Sequence, residues 1–359
     1  MNLSQPEPDQ FELSVFGPGY GEAALVHLGK GEWLVADSCV DQRSKAHPIL
    51  RYLKRLGVDP SKQVKRIVVS HWHRDHVRGL AQMVEACPSA LIFLSDAMKT
   101  DELMTMTMNG ANALSAQSPL RELREAIEVL NSRSPKHSIP RPLRVASTGM
   151  NVYRRRGTVP CSVEAVSPSP SDVIATKMEL AELAKTDAMW RPAIRHPNDT
   201  SVALWIEFGD IRMLLGADLE ARSDESRGWA SVVAYYSAYL QGQATIVKVP
   251  HHGSVTGHDD RMWGVMVDDQ SHALIAPFRP SKLPQESDLN RILELAGRVH
   301  LTAQVDPVKV PSVPELSGHA RSVEEPEGRS GQIRIRGGGS DGPDAFEVSW
   351  ASPAREVKA

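Results

Sequence analysis

The chain has 359 residues, of which 41% are hydrophobic and 24% charged, enough to bury a large core as one large α/β domain or two smaller ones. Its formal net charge of −3 argues against a broad non-specific nucleic-acid surface, while leaving room for a local basic groove. Cys39, Cys87 and Cys161 are far apart and odd in number, which makes neither a disulfide framework nor a zinc-finger spacing and fits a reducing compartment.

Taken in order, the polar stretch from Met1 to Gln10 has no charged start and apolar centre of a signal peptide, and no run reaches bilayer length. The expectation is a soluble cytoplasmic protein without a membrane segment. Strand-like alternation covers Phe11–Phe16, Ala23–Leu28 and Trp33–Ala36, the last ending at Asp37. A helical pattern spans 44–56, and the apolar run Ile67–Val69 reads as a strand. Helix is expected from Val77 to Ala86, strand from Ala90 to Leu94, and helix from Leu120 to Leu130. Arg154-Arg155-Arg156 reads as a solvated turn, with a phosphate contact as the alternative. Further strands are expected at Cys161–Val166, Ser201–Phe208, Ile211–Leu215, Thr245–Val249 and His272–Ala276, and helices near 171–189, 226–240 and 286–297. Beyond Asp306 the chain is rich in Pro, Gly and charge, with short strands at 332–336 and 345–350. The division expected is a main domain, 1–305, with an inserted segment near 97–160, and a partly loose C-terminal extension, 306–359.

One stretch organises the rest. Ser70-His71-Trp72-His73-Arg74-Asp75-His76 places three imidazoles and a carboxylate within six residues at the end of a buried strand. In an extended segment His71 and His73 point the same way, and Asp75 and His76 follow where strand gives way to helix. Such a cluster suits Zn²⁺, Mn²⁺ or Fe and can hold two ions close together. The same arrangement recurs: an apolar strand ends and an Asp or His follows, at Asp37, His71, Asp218 and His251. Loops at strand ends are where α/β proteins assemble sites.

With these residues in place the chain resembles a metallo-β-lactamase-fold hydrolase, and within that superfamily the soluble counterpart of the ComEC/Rec2-type competence hydrolase domain. The narrower likeness rests on Phe16–Ala23 with Val35–Ser38, on Asn198–Leu204 with Leu214–Asp218, and on Lys248-Val249-Pro250-His251-His252-Gly253-Ser254. Val77-Arg78-Gly79 stands where the family usually has Gly-Gly, and the family's late His-Pro has no counterpart. The resemblance implies an αββα sandwich, two mixed β-sheets flanked by helices. It implies two divalent ions, zinc first and manganese second. One would take His71, His73 and the candidate His196, with His137 a weaker rival. The other would take Asp75, His76 and His251 or His252, and Asp218 would bridge them. Two dications acidify a bound water, and Asp75 could orient it. Asp37 is expected to position the ligating loops through hydrogen bonds. His251 is favoured as the ligand, with His252 as acid or oxyanion contact. Arg78, Ser254 and His258 are the candidate substrate contacts, whereas His27, His47, His272, His300 and His319 read as structural or surface residues.

The function expected is a two-metal phosphodiesterase or nuclease acting on a nucleic acid or nucleotide. An ester, thioester or lactam hydrolase is the second reading. A non-catalytic subunit of a multi-protein system is the third, with the C-terminal extension as a candidate surface for a protein partner.

Overall fold

The computed structural model describes residues 3–17, 20–41, 44–98, 119–133, 142–184, 197–304, 331–338 and 346–357. Two eight-stranded mixed sheets face each other, and helices cover both outer faces. The αββα sandwich is therefore present. In the first half of the chain the strands are β1 (Gln10–Gly17), β2 (Ala23–His27), β3 (Trp33–Ala36), β4 (Val64–Val69), β5 (Leu91–Ser95) and β6 (Leu143–Ala146). Next come β7 (Met150–Arg155), β8 (Cys161–Ala165), β9 (Leu204–Phe208), β10 (Ile211–Leu215) and β11 (Ala244–Lys248). The last are β12 (Val267–Ile275), β13 (Arg298–Leu301), β14 (Gly331–Gly338), β15 (Glu347–Ala351) and β16 (Arg355–Val357). The first sheet runs β15-β14-β1-β2-β3-β4-β5-β6 and the second β16-β13-β12-β11-β10-β9-β8-β7.

Period-two patterning explains the layers. Leu13, Val15, Val26 and Val68 from the first sheet meet Val163, Ile206, Met213 and Leu274 from the second between the sheets. Residues pointing outward from the first sheet, such as Leu25, Val35 and Ile67, pack under helices α1 (Pro48–Leu56), α4 (Leu80–Ala86) and α5 (Pro119–Ser132). Between α1 and α4 lie two single turns, α2 (Pro60–Gln63) and α3 (Arg74–Val77). Helix α6 (Pro170–Ala184) follows β8, and α7 (Gly228–Tyr239), α8 (Asp260–Met266) and α9 (Glu286–Leu295) cover the second sheet. No helix among the described residues is long and apolar enough to cross a membrane.

Several elements differ from the sequence reading. The span 97–160 adds β6 to the edge of one sheet and β7 to the edge of the other; residues 99–118 and 134–141 lie outside the described residues. Arg154 and Arg155 end strand β7 instead of forming a turn. Their position also matters. Met150 pairs with Ala165, which pairs with Leu204 at the site end of the sandwich, whereas Arg155 pairs with Cys161 at the far end. At about 3.3 Å per residue the basic run is set back roughly 16 Å along the strand.

The C-terminal β14 lies inside the first sheet, between β15 and β1. It brings Arg336 onto Glu12, Nε to Oε2 at 2.7 Å, while Ser14 and Tyr52 hydroxyls donate to the other Glu12 oxygen at 2.8 and 2.9 Å. Both partners are buried. Arg336→Ala would leave a buried carboxylate without its cation, and is expected to cost about 3–5 kcal/mol in a urea-unfolding measurement.

Candidate metal centre

The site is built where parallel strands of both sheets end. After β3 the chain turns at Asp37, whose φ of 62° is left-handed. This turn lets Asp37 clasp the end of β4: Oδ1 accepts from the Ser70 N–H at 2.7 Å and Oδ2 from the Ser70 hydroxyl at 2.7 Å. Beyond β4, alternation places His71 and His73 together, ring centroids 4.7 Å apart, and sends Trp72 into the core under the helices. His73 begins the turn α3, closed by His76 and Val77 N–H groups donating to its carbonyl at 3.0 and 3.1 Å. That turn carries Asp75 and His76 back over the strand end.

The second sheet supplies the rest. β10 leads through Gly216 and Ala217 to Asp218, and β11 leads through Pro250 to His251 and His252. Ala217, His251 and His252 have φ of 45°, 44° and 53°. With Asp37 they are four of the seven non-glycine residues of left-handed φ among the described residues. Strain of this kind persists where surrounding structure over-determines it, and it clusters at functional sites.

Two donor groups result. His71, His73 and Asp218 form one, and Asp75, His76, Asp218 and His252 the other, and Asp218 belongs to both. Asp218 Oδ2 lies 3.9 Å from His71 Nε2, 3.2 Å from His76 Nε2 and 3.4 Å from His252 Nε2. Asp75 Oδ2 is 3.1 Å from His252 Nε2 and 3.7 Å from His76 Nε2. The far nitrogens are already committed. His76 Nδ1 donates to Asp37 at 2.8 Å, and His252 Nδ1 to the Ala276 carbonyl at 2.8 Å. The Ser70 hydroxyl gives its hydrogen to Asp37, so its oxygen accepts from His71 Nδ1 at 3.0 Å. In its neutral form each ring therefore turns an Nε2 lone pair inward. His71 Nε2, His76 Nε2 and Asp218 Oδ1 are buried without a hydrogen-bond partner.

Electrostatics agrees with that geometry. Burial, helped by the neighbouring His76 and His73, holds His71 well below the usual histidine range. At His76 burial opposes the charge, but the carboxylates of Asp218, Asp37 and Asp75 outweigh it and raise the ring well above its ordinary value. His252 is raised likewise, against burial, by Asp218 and Glu22. Asp75 and Asp218 are lowered, again against burial, by those same imidazoles. A buried cluster of lone pairs and carboxylates needs either protons or cations at its centre. The donors fit a pair of divalent ions.

Of the histidine pair the structure places His252, not the favoured His251, among the inward-facing donors. The two rings do point apart, but a left-handed turn, not an extended strand end, decides which one faces inward. His252 joins Asp75, His76 and Asp218. His251 is half-buried outside that group, with Nδ1 2.7 Å from Thr256 Oγ1 and Nε2 3.3 Å from Asn198 Nδ2. His196, His137 and His319 lie outside the described residues. None of the three expected substrate contacts enters the donor groups. Arg78 accepts the Ser38 hydroxyl through its carbonyl, and its charge acts on Glu122. Ser254 caps a short turn by accepting from Thr256 N–H at 3.3 Å, and His258 pairs with Asp260 at 2.8 Å. His27, His47, His272 and His300 make structural hydrogen bonds, as expected.

Two residues at the centre escaped the sequence reading. Glu22 is buried against His76 and His252, and Lys248, 4% exposed, is paired with it. The signal was available in their spacing. Glu22 follows the Gly turn ahead of β2, and Lys248 directly precedes Val-Pro-His-His.

Residues 16–92, the segment running from β1 through the histidine cluster into β5, match the family model of the Metallo-beta-lactamase superfamily. In that segment the chain is similar to the Metallo-beta-lactamase superfamily. Members of the superfamily are generally hydrolases and typically bind divalent metals. Among solved structures, the metallo-beta-lactamase fold protein YhfI from Bacillus subtilis is similar at 12% identity, over 82% of this chain and 96% of that one, with a TM-score of 0.40. AidC, a dizinc quorum-quenching lactonase, aligns at 13% identity over 55% of each chain with a TM-score of 0.31. The hydrolase AbOPH, of the beta lactamase superfamily, aligns at 15% identity over 64% of this chain and 71% of that one, TM-score 0.33. No curated protein matches the chain.

Proposed function

We propose that this protein is a metal-dependent hydrolase that cleaves phosphodiester bonds in a nucleic acid or nucleotide on a two-ion centre. The observation that carries the reading is the meeting of two donor groups at one buried carboxylate, Asp218. His71, His73 and Asp218 would hold one ion, and Asp75, His76, His252 and Asp218 the other, with zinc the first candidate for this imidazole-rich set and manganese the second. Bound there, the ions would supply Lewis acidity and an acidified water, and a pair of them suits the attacking and leaving oxygens of a phosphodiester. The chain's own part is to position these donors: Asp37 orients His76, and the Ala276 carbonyl orients His252. Arg279, whose guanidinium lies 5.8 Å from the Tyr20 ring centroid, offers a cation close to the loop that rests on Asp75. The distant Arg154–Arg156 run plays no part at the site.

Phe278 favours the second reading, hydrolysis of a neutral ester, thioester or lactam. Its ring stacks on His252 at 5.0 Å and 17°, setting an apolar surface beside that donor. The deciding assay incubates pure protein with Zn²⁺ or Mn²⁺ and DNA, RNA, cyclic dinucleotides or a neutral thioester, with His73→Ala in parallel. Phosphodiester cleavage by the wild type alone is expected. Turnover of the thioester only would sink the phosphodiesterase reading, and equal rates in His73→Ala would sink the site.

A further inference from the structure

The second donor group draws Asp75 and His76 from the first sheet and Asp218 and His252 from the second. Something must therefore set the distance between the two sheets at this point. Glu22 and Lys248 sit where that could be done. Glu22 stands just ahead of β2 in the first sheet, and Lys248 is the last residue of β11 in the second. Their side chains, 5% and 4% exposed, form an ion pair between Lys248 Nζ and Glu22 Oε1.

Each partner of the pair also touches the donors. The Glu22 N–H donates to the Asp75 carbonyl at 3.0 Å. That approach is close enough that a Cβ at Gly21, whose φ is 154°, would lie 2.6 Å from the same oxygen. Glu22 Oε2 lies 3.3 Å from His252 Nδ1, and Oε1 3.8 Å from His76 Nδ1. Lys248 Nζ donates to the Ala217 carbonyl at 2.9 Å, one residue before Asp218, and lies 3.9 Å from Asp218 Oδ1. Apolar neighbours, Ala24, Ala36, Val68, Leu204 and Leu215, surround the space beside the pair.

A buried ion pair adds little to stability compared with a packed apolar pair, so stability alone gives weak reason for its presence. We infer that Glu22 and Lys248 form an inter-sheet clamp that positions His252 and Asp218 for the second ion. This rests on the two-ion reading of the site. Carboxylates behind a ligating histidine typically strengthen metal binding 10–100-fold. Glu22 stands behind His252 as Asp37 stands behind His76, but the His252 Nδ1 hydrogen goes to the Ala276 carbonyl, so Glu22 would act on the ring through its charge, itself held by a cation from the opposite sheet.

The test compares the wild type with Lys248→Met, Glu22→Gln and the apolar double variant Glu22→Leu/Lys248→Met. Zinc stoichiometry and stepwise affinity are measured against a competing chelator, and the thermal midpoint of the metal-free protein separately. The wild type is expected to bind two ions. Each single variant is expected to bind one of the two ions about 10–100-fold more weakly and the other as tightly as the wild type. The double variant should regain the metal-free thermal midpoint, because no buried charge is left alone, yet keep the weakened second ion. Two ions bound as tightly as in the wild type by any variant, or equal weakening of both ions, would overturn the clamp alone. A wild type that binds fewer than two ions would overturn the two-ion reading and the clamp with it.

Discussion

Asp218→Ala is expected to remove both ions from the protein and to bring turnover to background. Asp218 is the one residue common to both donor groups, and it is 2% exposed. A carboxylate between two dications offsets their mutual repulsion, which no single imidazole can do. Without it, His71 and His73 alone would face one ion, and Asp75, His76 and His252 the other with one negative charge fewer. Metal-ion catalysis contributes several kcal/mol to transition-state stabilisation, so a rate loss on the order of a thousandfold or more is expected. Asp218→Asn keeps the shape and should fail similarly, separating charge from packing. Elemental analysis and turnover on the cleaved substrate check both variants. Full activity with one ion retained would show that the two groups work independently of Asp218.

Metal affinity is expected to rise steeply with pH. His76 and His252 are held well above the ordinary histidine range by Asp218 and the carboxylates behind them, so in the metal-free protein they carry protons at neutral pH. A divalent ion must displace those protons from Nε2. Below the folded-state values each displaced proton makes the affinity about tenfold stronger per pH unit, up to about a hundredfold when both rings give one up. The metal-free protein should respond in the opposite sense. A ring raised in the folded state contributes stability that is complete below its unfolded value near 6.5, and this is lost as pH rises through the folded value. The lowered Asp75 and Asp218 contribute stability above their unfolded range, lost as pH falls. Zinc titrations at several pH values, with proton release read from calorimetry in two buffers, check the first statement. Chelator-treated protein melted across the same range checks the second. An affinity independent of pH would mean that protons do not occupy the cluster.

Much of this arrangement was legible in the residues themselves. Alternation located most strands, and the recurrence of Asp or His at strand ends marked Asp37, His71, Asp218 and His251; the fold gathers the first three in one place with His73, Asp75 and His76 of the dense cluster, and leaves His251 outside. The short β6 and β13 and the turn of α8 were missed, because four to seven residues carry too little periodicity to register. Arg154 and Arg155, the end of β7, read as a turn because arginines suggested solvent, whereas an edge strand tolerates such residues.

The sequence by itself determined which strands alternate, which strand ends bear donor side chains, and that His71 and His73 share a face. Those are consequences of spacing along one segment, and the pleat enforces them wherever the strand lies. Only the tertiary structure decided that His252 turns inward and His251 outward, because a left-handed turn set by Pro250 and Ala217 replaces the extended geometry. It alone brought Lys248 onto Glu22, placed Arg154–Arg156 at the far end of the sandwich, and set β14 beside β1. Each of these depends on how the two sheets meet, and burial between sheets is a property of contacts distant in sequence, which no local pattern of residues encodes.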